Sequence, residues 1–350
     1  MRVVLVMYPG ISELVGGHVT QHLETALALG RRGVDAVVAA PEEAIADQEA
    51  DIVHAFGGIR HLLALGRPRG RLVATPIYFP RSVLYGPVWL RGGTRHVLEA
   101  RLRHALRAVR HAGERRRRLA GHRAEHAAWR QADLVVVNSR AEGALLERDA
   151  GRFENLRVAY SGVSGDAFDG DPDEGRRLLG VGDEPFVLSV ARVEPRKNHL
   201  SLALALRGLP VRLVILGAVL PGNEQCLAAV RRVLPDVIHV PYLDHALVRH
   251  AHAAAALHAL PSWYETTGLS TLEALAAGRP VVVAGGPCVR EYFDGCASFC
   301  RPGSIRSIRR AVERALEGPR GCERDRARTF SWDRTAAELL DAYASVADAV

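Results

Sequence analysis

Lysine is almost missing from this chain. Of its 46 basic residues only Lys197 is a lysine, and the others are all arginine. So strong a bias reflects a GC-rich genome rather than a choice at each site, and Lys197 marks a position where the bias was resisted. Cysteine is scarce too: five residues, at 226, 288, 296, 300 and 322, with no Cys-x-x-Cys pair. That odd number and those spacings argue against a zinc site or a disulfide framework, and for reduced, buried thiols in a cytoplasmic protein. No apolar run approaches the roughly 20 residues that a membrane span needs. The opening Met1–Tyr8 lacks a small-residue cleavage site and predicts a first buried strand rather than a signal peptide. Two phosphate-binding patterns, Gly-x-Gly-x-x-Gly and Gly-x-x-x-x-Gly-Lys-[Ser/Thr], are absent. An Asp-x-Asp, Asp171-Pro-Asp173, falls in a glycine- and aspartate-rich linker rather than in a metal-binding setting.

What is present is an ordinary globular composition: 350 residues, 48% hydrophobic and 24% charged, enough for two domains each with its own core. Short apolar runs come in two series. The first is Val3–Met7, Ala36–Ala40, Ile52–Phe56, Leu72–Thr75, Leu134–Val137 and Leu156–Tyr160. The second is Phe186–Val190, Val211–Leu216, Val237–Val240, Ala256–Leu260 and Val281–Ala284. Their near-continuous apolar character predicts parallel strands covered on both faces. Helix-length stretches lie between most of them, among them His18–Gly30, Arg140–Ala150, Ser201–Arg207 and Leu269–Gly278. Two doubly wound α/β units follow, joined near Gly162–Asp173, with boundaries at 1–165 and 166–333 and a terminal helix over 334–350.

The charge is concentrated. Residues 101–130 hold ten arginines against two glutamates, within a helical stretch Leu98–Ala132. A basic helix face of this kind is a solvated surface or a peripheral contact with anionic membrane lipid or an acidic acceptor. Only Trp129 interleaves with the arginines, which speaks against nucleic acid.

Three segments could carry chemistry. Gly16-Gly17 opens the first helix, where bare backbone N–H groups can meet a phosphate. Arg192 and Lys197 lie five apart in the loop after the first strand of the second series, with Pro195 between them, and can converge on one diphosphate. The third is Pro261-Ser-Trp-Tyr-Glu265-Thr-Thr-Gly-Leu-Ser-Thr-Leu-Glu273. Here Thr266 and Thr267 can cap the helix, and Glu273 is expected about two turns into it. The amides of Thr267, Gly268 and Leu269 would face an anion held between the two acids.

Glu-x7-Glu in this setting, with the Arg192…Lys197 loop, the early Gly-Gly, Val136-Val-Asn-Ser139, Ser161-Gly-Val163 and Phe330-Ser-Trp332, closely resembles the retaining family 4 glycosyltransferases of the GT-B fold. The resemblance implies two Rossmann-like domains facing across a cleft, with the terminal helix crossing back to the first. It implies a hexosyl-type transferase using a nucleotide-diphosphate sugar, UDP-linked as first choice, with no metal and no cofactor. Glu265, Arg192 and Lys197 would act on the reacting sugar and diphosphate. Gly16, Gly17, Thr267, Gly268, Leu269 and Glu273 would bind the donor, Glu273 through the ribose, and Tyr242 would lie by the base. The acceptor would be a hydroxyl of a glycolipid, surface polysaccharide or secondary metabolite. Many relatives carry a histidine after the fourth strand, where this chain reads Ala74-Thr75-Pro76-Ile77-Tyr78. Thr75, Tyr78 or His18 would then serve on the acceptor side. A non-catalytic nucleotide-sugar-binding protein and a Rossmann-type NAD-dependent dehydrogenase remain as alternatives.

Overall fold

The computed structural model describes residues 1–8, 16–80 and 112–347, with 112–118 described by their backbone alone. The chain divides into two compact units. Among the described residues, the first comprises 1–8, 16–80, 112–162 and 330–347, and the second comprises 163–329.

The first unit is a parallel sheet of β1 (Arg2–Val6), β2 (Asp35–Ala39), β3 (Ile52–Phe56), β4 (Arg71–Thr75), β5 (Leu134–Val137) and β6 (Leu156–Val158), in the order β2-β1-β3-β4-β5-β6. Its helices are α1 (Gly17–Arg31), α2 (Pro41–Ala46), α3 (Arg60–Leu65), α4 (Ala112–Trp129) and α5 (Arg140–Ala150), with the terminal helix named below. Val3 to Val6 are fully buried, as are Ile52, Val53 and Leu72, because helices cover both faces of the sheet. Of the helical stretch expected over Leu98–Ala132, the described part is helical as α4. Arg101, Arg103, Arg107 and Arg110, and the side chains of Arg115 to Arg118, lie outside the described residues.

The second unit has β7 (Phe186–Val190), β8 (Arg212–Leu216), β9 (Ile238–Val240), β10 (Leu257–Leu260), β11 (Val281–Ala284) and β12 (Ala297–Cys300), in the order β12-β11-β10-β7-β8-β9. Counted from β7 this is the Rossmann order 3-2-1-4-5-6. Its helices are α6 (Pro172–Leu179), α7 (His199–Leu206), α8 (Glu224–Val233), α9 (His245–Ala254), α10 (Leu269–Ala276), α11 (Pro287–Phe293), α12 (Ile305–Leu316) and α13 (Glu323–Arg328). The last helix of the chain, α14 (Trp332–Ala347), belongs to the first unit. No helix among the described residues is long and apolar enough to cross a membrane.

Three readings change. Strand β12 was not expected, because Ala-Ser-Phe-Cys is too short and too polar to stand out; it gains its place by pairing along β11. Asp171 of the Asp-x-Asp is a helix cap, its Oδ1 accepting from the amides of Asp173 and Glu174 at the start of α6. The thiols are not all free, since Cys296 and Cys322 form a disulfide. The turn before β12 and the start of α13 bring together two residues 26 apart, a contact no local spacing reveals. Cys226, Cys288 and Cys300 remain thiols, and burial pushes Cys300 up to about 12.

Helix α14 is pinned to the first unit by polar contacts. Glu338 accepts from the Tyr160 amide at 2.8 Å, and the Thr335 hydroxyl donates to the Tyr160 carbonyl at 2.6 Å. Deeper, His54 on β3 lies 2.7 Å from both the Tyr343 hydroxyl and the Thr75 hydroxyl, and all three residues are buried. Burial pulls His54 down to about 3, so it stays neutral. Removing the Tyr343 hydroxyl leaves one ring nitrogen of His54 buried and unsatisfied, a cost of about 1–3 kcal/mol. Tyr343→Phe should lower the stability of the protein by that amount in chemical denaturation, and an unchanged midpoint would refute the network's role.

Candidate active site

In an open parallel sheet, ligands bind beyond the carboxyl ends of the strands where the strand order reverses. In the second unit that point lies between β7 and β10. The loop after β7 carries Arg192 to Lys197, and the loop after β10 carries Pro261 to Gly268. Topology therefore places side by side two segments about seventy residues apart in sequence.

Backbone and amide bonds join the loops. Asn198 adopts a left-handed conformation (φ 63°), and its side-chain amide donates to the carbonyls of Pro261 and Pro302, each at 3.0 Å. The Trp263 amide donates to the Arg196 carbonyl at 2.9 Å. Between the loops sits a charged cluster. Lys197 Nζ donates to Glu265 Oε1 at 2.7 Å, and Arg196 Nη1 donates to the same oxygen at 3.2 Å. Arg196 Nη2 reaches Glu194 Oε1 at 2.6 Å. All four side chains are largely buried, between 13% and 17% exposed, so the charges interact across little water. Burial by itself would raise the Glu265 carboxyl, but Lys197 and Arg196 overcome it and hold the group at about 2. Arg192, half-buried on the same loop, makes no ion pair among the described residues. One cation of the loop is thus uncommitted, and Lys197, with three N–H donors, uses one on Glu265.

Beyond Glu265 the chain turns into α10 through Gly268, whose left-handed φ of 85° favours glycine. Gly268 is the helix cap, and its carbonyl accepts from the amides of Thr271 and Leu272. The expected cap from Thr266 or Thr267 is not formed, because the left-handed turn at Gly268 ends the loop later than a threonine cap would. Leu269 opens the helix, so Glu273 lies one turn in, not two. A small pocket adjoins this turn, lined by Trp263, Tyr264, Glu265, Thr267, Gly268, Val283, Val289 and Phe293.

Glu273 is held separately. Its Oε1 lies 2.9 Å from His245 Nε2 and its Oε2 lies 3.7 Å from His252 Nε2. Burial would raise this carboxyl, but the His245 hydrogen bond and the nearby His252 imidazole hold it well below the usual carboxylate range. Tyr242, between β9 and α9, is 58% exposed.

The remaining expected residues lie in the first unit. Gly16 caps α1 and Gly17 begins it, with His18 half-buried in the first turn. Thr75 and Tyr78 are core residues: the Thr75 hydroxyl bonds His54, and the Tyr78 hydroxyl donates to Asp149 at 2.7 Å. Both are at most 2% exposed, so the acceptor-side roles suggested for them are withdrawn. Sequence reasoning missed Arg196, Asn198, His245 and His252. Arg196 is hidden among forty-odd arginines. His245 and His252 stand seven apart, two helical turns on one face, a spacing that was available but goes unnoticed without Glu273 opposite.

Comparison with known proteins relates the second unit to a described family. The model for the family described as Glycosyl transferases group 1 matches residues 173–331, which include Arg192, Lys197, Tyr242, Glu265 and Glu273. The second unit is thus similar to this family over the matched residues. D-inositol 3-phosphate glycosyltransferase of Mycobacterium tuberculosis (strain H37Rv) is 28% identical over 96% of this chain and 80% of that protein. The fold is that of sucrose-phosphate synthase from Thermosynechococcus elongatus, with TM-score 0.75 and 18% identity over all of both chains. It is also that of Anabaena HepE in complex with UDP and glucose, with TM-score 0.70 and 18% identity over 99% of this chain and all of that one. The chain therefore has the GT-B fold, built from two Rossmann-like units.

The depressed Glu265 has a measurable consequence. Its carboxyl titrates at about 2 in the folded protein against an ordinary 4.5, so its contribution is full above 4.5 and is lost as pH falls through about 2. The stability difference between the wild type and Glu265→Gln, measured by urea unfolding, should shrink by roughly 3 kcal/mol between pH 6 and the acid limit. A difference independent of pH would contradict the pairing.

Proposed function

We propose that this protein is a glycosyltransferase that moves a hexosyl-type sugar from a nucleotide-diphosphate sugar, UDP-linked as first choice, to an acceptor hydroxyl with retention at the anomeric carbon. The observation that carries this reading is the charged cluster at the switch point of the second sheet. There Lys197 and Arg192 offer positive charge to a diphosphate beside the ionised Glu265.

The chemistry follows from where charge develops. As the glycosidic C–O bond breaks, negative charge grows on the leaving diphosphate. Fixed cations already in place stabilise it without reorganisation, which lowers the barrier. Glu265 accepts hydrogen bonds from donor-sugar hydroxyls, the amides of Gly268 and Leu269 lie beside it, and Glu273 binds the ribose hydroxyls. Tyr242, half-exposed beside α9, flanks the base. Retention is expected by a front-face route in which the leaving phosphate oxygen takes the proton of the attacking acceptor hydroxyl. No group of the protein then has to become covalently bound. Because Arg192 and Lys197 neutralise the diphosphate, a divalent ion is not required. The acceptor belongs to glycolipid, surface-polysaccharide or secondary-metabolite synthesis in a bacterial cytoplasm. The Arg-rich segment 101–130 would favour an acceptor at the inner face of the membrane.

Calorimetry in EDTA buffer tests the donor site. Wild-type protein should bind one nucleoside diphosphate, UDP first, and Lys197→Ala should weaken that binding at least tenfold. The same variant should lose about 10²–10³ in kcat with the matching sugar donor, as when one stabilising donor is removed from a developing anion. Binding of NAD alone, or of UDP equally by both proteins, would overturn the reading.

A further inference from the structure

Glu273 has two imidazoles for neighbours, both from α9. His245 opens that helix, 47% exposed, with Nε2 at 2.9 Å from Oε1. His252, two turns on and fully buried, has Nε2 at 3.7 Å from Oε2, and neither of its ring nitrogens is hydrogen-bonded. His252 also stands edge-on to His258 of β10 at 5.3 Å, and His258 Nε2 meets the Thr271 hydroxyl of α10 at 3.3 Å. The other ionisable groups of this region have separate tasks. Asp244 caps α9 through the Ala246 amide, Arg249 pairs with Asp166, and His250 Nδ1 accepts the Asp171 amide. The groups bearing on Glu273 from α9 and β10 are thus His245, His252 and His258.

A buried carboxylate must have hydrogen-bond donors at all times. A ribose offers two vicinal hydroxyls, which one carboxylate can accept as a pair. Oε1 already holds the half-exposed His245, so a ribose hydroxyl and this imidazole compete for one position. We propose that His245 is a displaceable stand-in for a ribose hydroxyl on Glu273, so that donor binding and protonation of His245 oppose each other. The inference rests on the reading of Glu273 as the ribose ligand.

The sign follows from the incumbent's charge. A neutral imidazole holds Oε1 by one hydrogen bond, whereas an imidazolium adds a full opposite charge and is harder to displace. Acidification that converts this neutral imidazole to the imidazolium therefore strengthens the hold of His245 on Oε1 and weakens the nucleotide. Linkage makes the effect reciprocal: bound nucleotide lowers the proton affinity of His245.

The test compares dissociation constants for UDP at pH 8.0 and pH 5.5 in wild type, His245→Gln and Glu273→Gln. Glutamine at 245 keeps a donor for Oε1 but does not titrate. Protonation of UDP itself, of His252 and of His258 is shared by the wild type and His245→Gln and cancels in their ratio. The ratio of wild-type to His245→Gln Kd should rise about 5- to 10-fold from pH 8.0 to pH 5.5, one proton being linked to binding. A ratio constant within about twofold, with UDP still bound and Glu273→Gln still weakening it, would overturn the His245 proposal alone. UDP binding that is absent, or indifferent to Glu273→Gln, would overturn the ribose reading and this proposal with it.

Discussion

The second unit is organised around one ion cluster, the Glu265 carboxylate flanked by Lys197 and Arg196. Burying three charges is costly unless each is paired and hydrogen-bonded, and removing one partner strands the others at about 3–5 kcal/mol. The surrounding structure meets that requirement. Asn198 fixes one loop to the other, the Arg196 carbonyl takes the Trp263 amide, and Gly268 turns the chain into α10 directly after the acid. The strand order puts both loops at the edge where the sheet opens. Positioning two cations and a carboxylate is thus a property of the fold, achieved before any substrate arrives, as electrostatic catalysis needs.

The arrangement also separates two acids that look equivalent in sequence. Glu265 is neutralised by permanent cations and so is ionised under all ordinary conditions. Glu273 is held instead by histidine side chains of α9. The two acids are only eight residues apart but answer to different partners.

Much of this was legible in the sequence. Buried parallel strands are written as continuous apolar runs, and eleven of the described strands fall on such runs within a residue or two. Lys197 stood out because an arginine-biased chain kept it, and Glu265 stood out by its setting before a glycine turn. The failures have physical causes too. Short, polar β12 is specified by its neighbour and not by its own residues, and the Cys296–Cys322 pairing depends on how two distant turns meet. Thr75 and Tyr78 look like available hydroxyls in sequence, but the first unit uses them as core hydrogen-bond partners of His54 and Asp149. Hydroxyls in or just after a buried strand serve packing unless something holds them open. His245 and His252 acquire meaning only once α9 is set against α10.

The most direct measurement is a crystal structure of the protein with UDP bound in the absence of metal ions. The account predicts diphosphate oxygens within hydrogen-bond distance of Lys197 Nζ and the Arg192 guanidinium, with Glu265 still ionised beside them. A nucleotide seated elsewhere on the second unit, with Lys197 and Arg192 untouched, would contradict it.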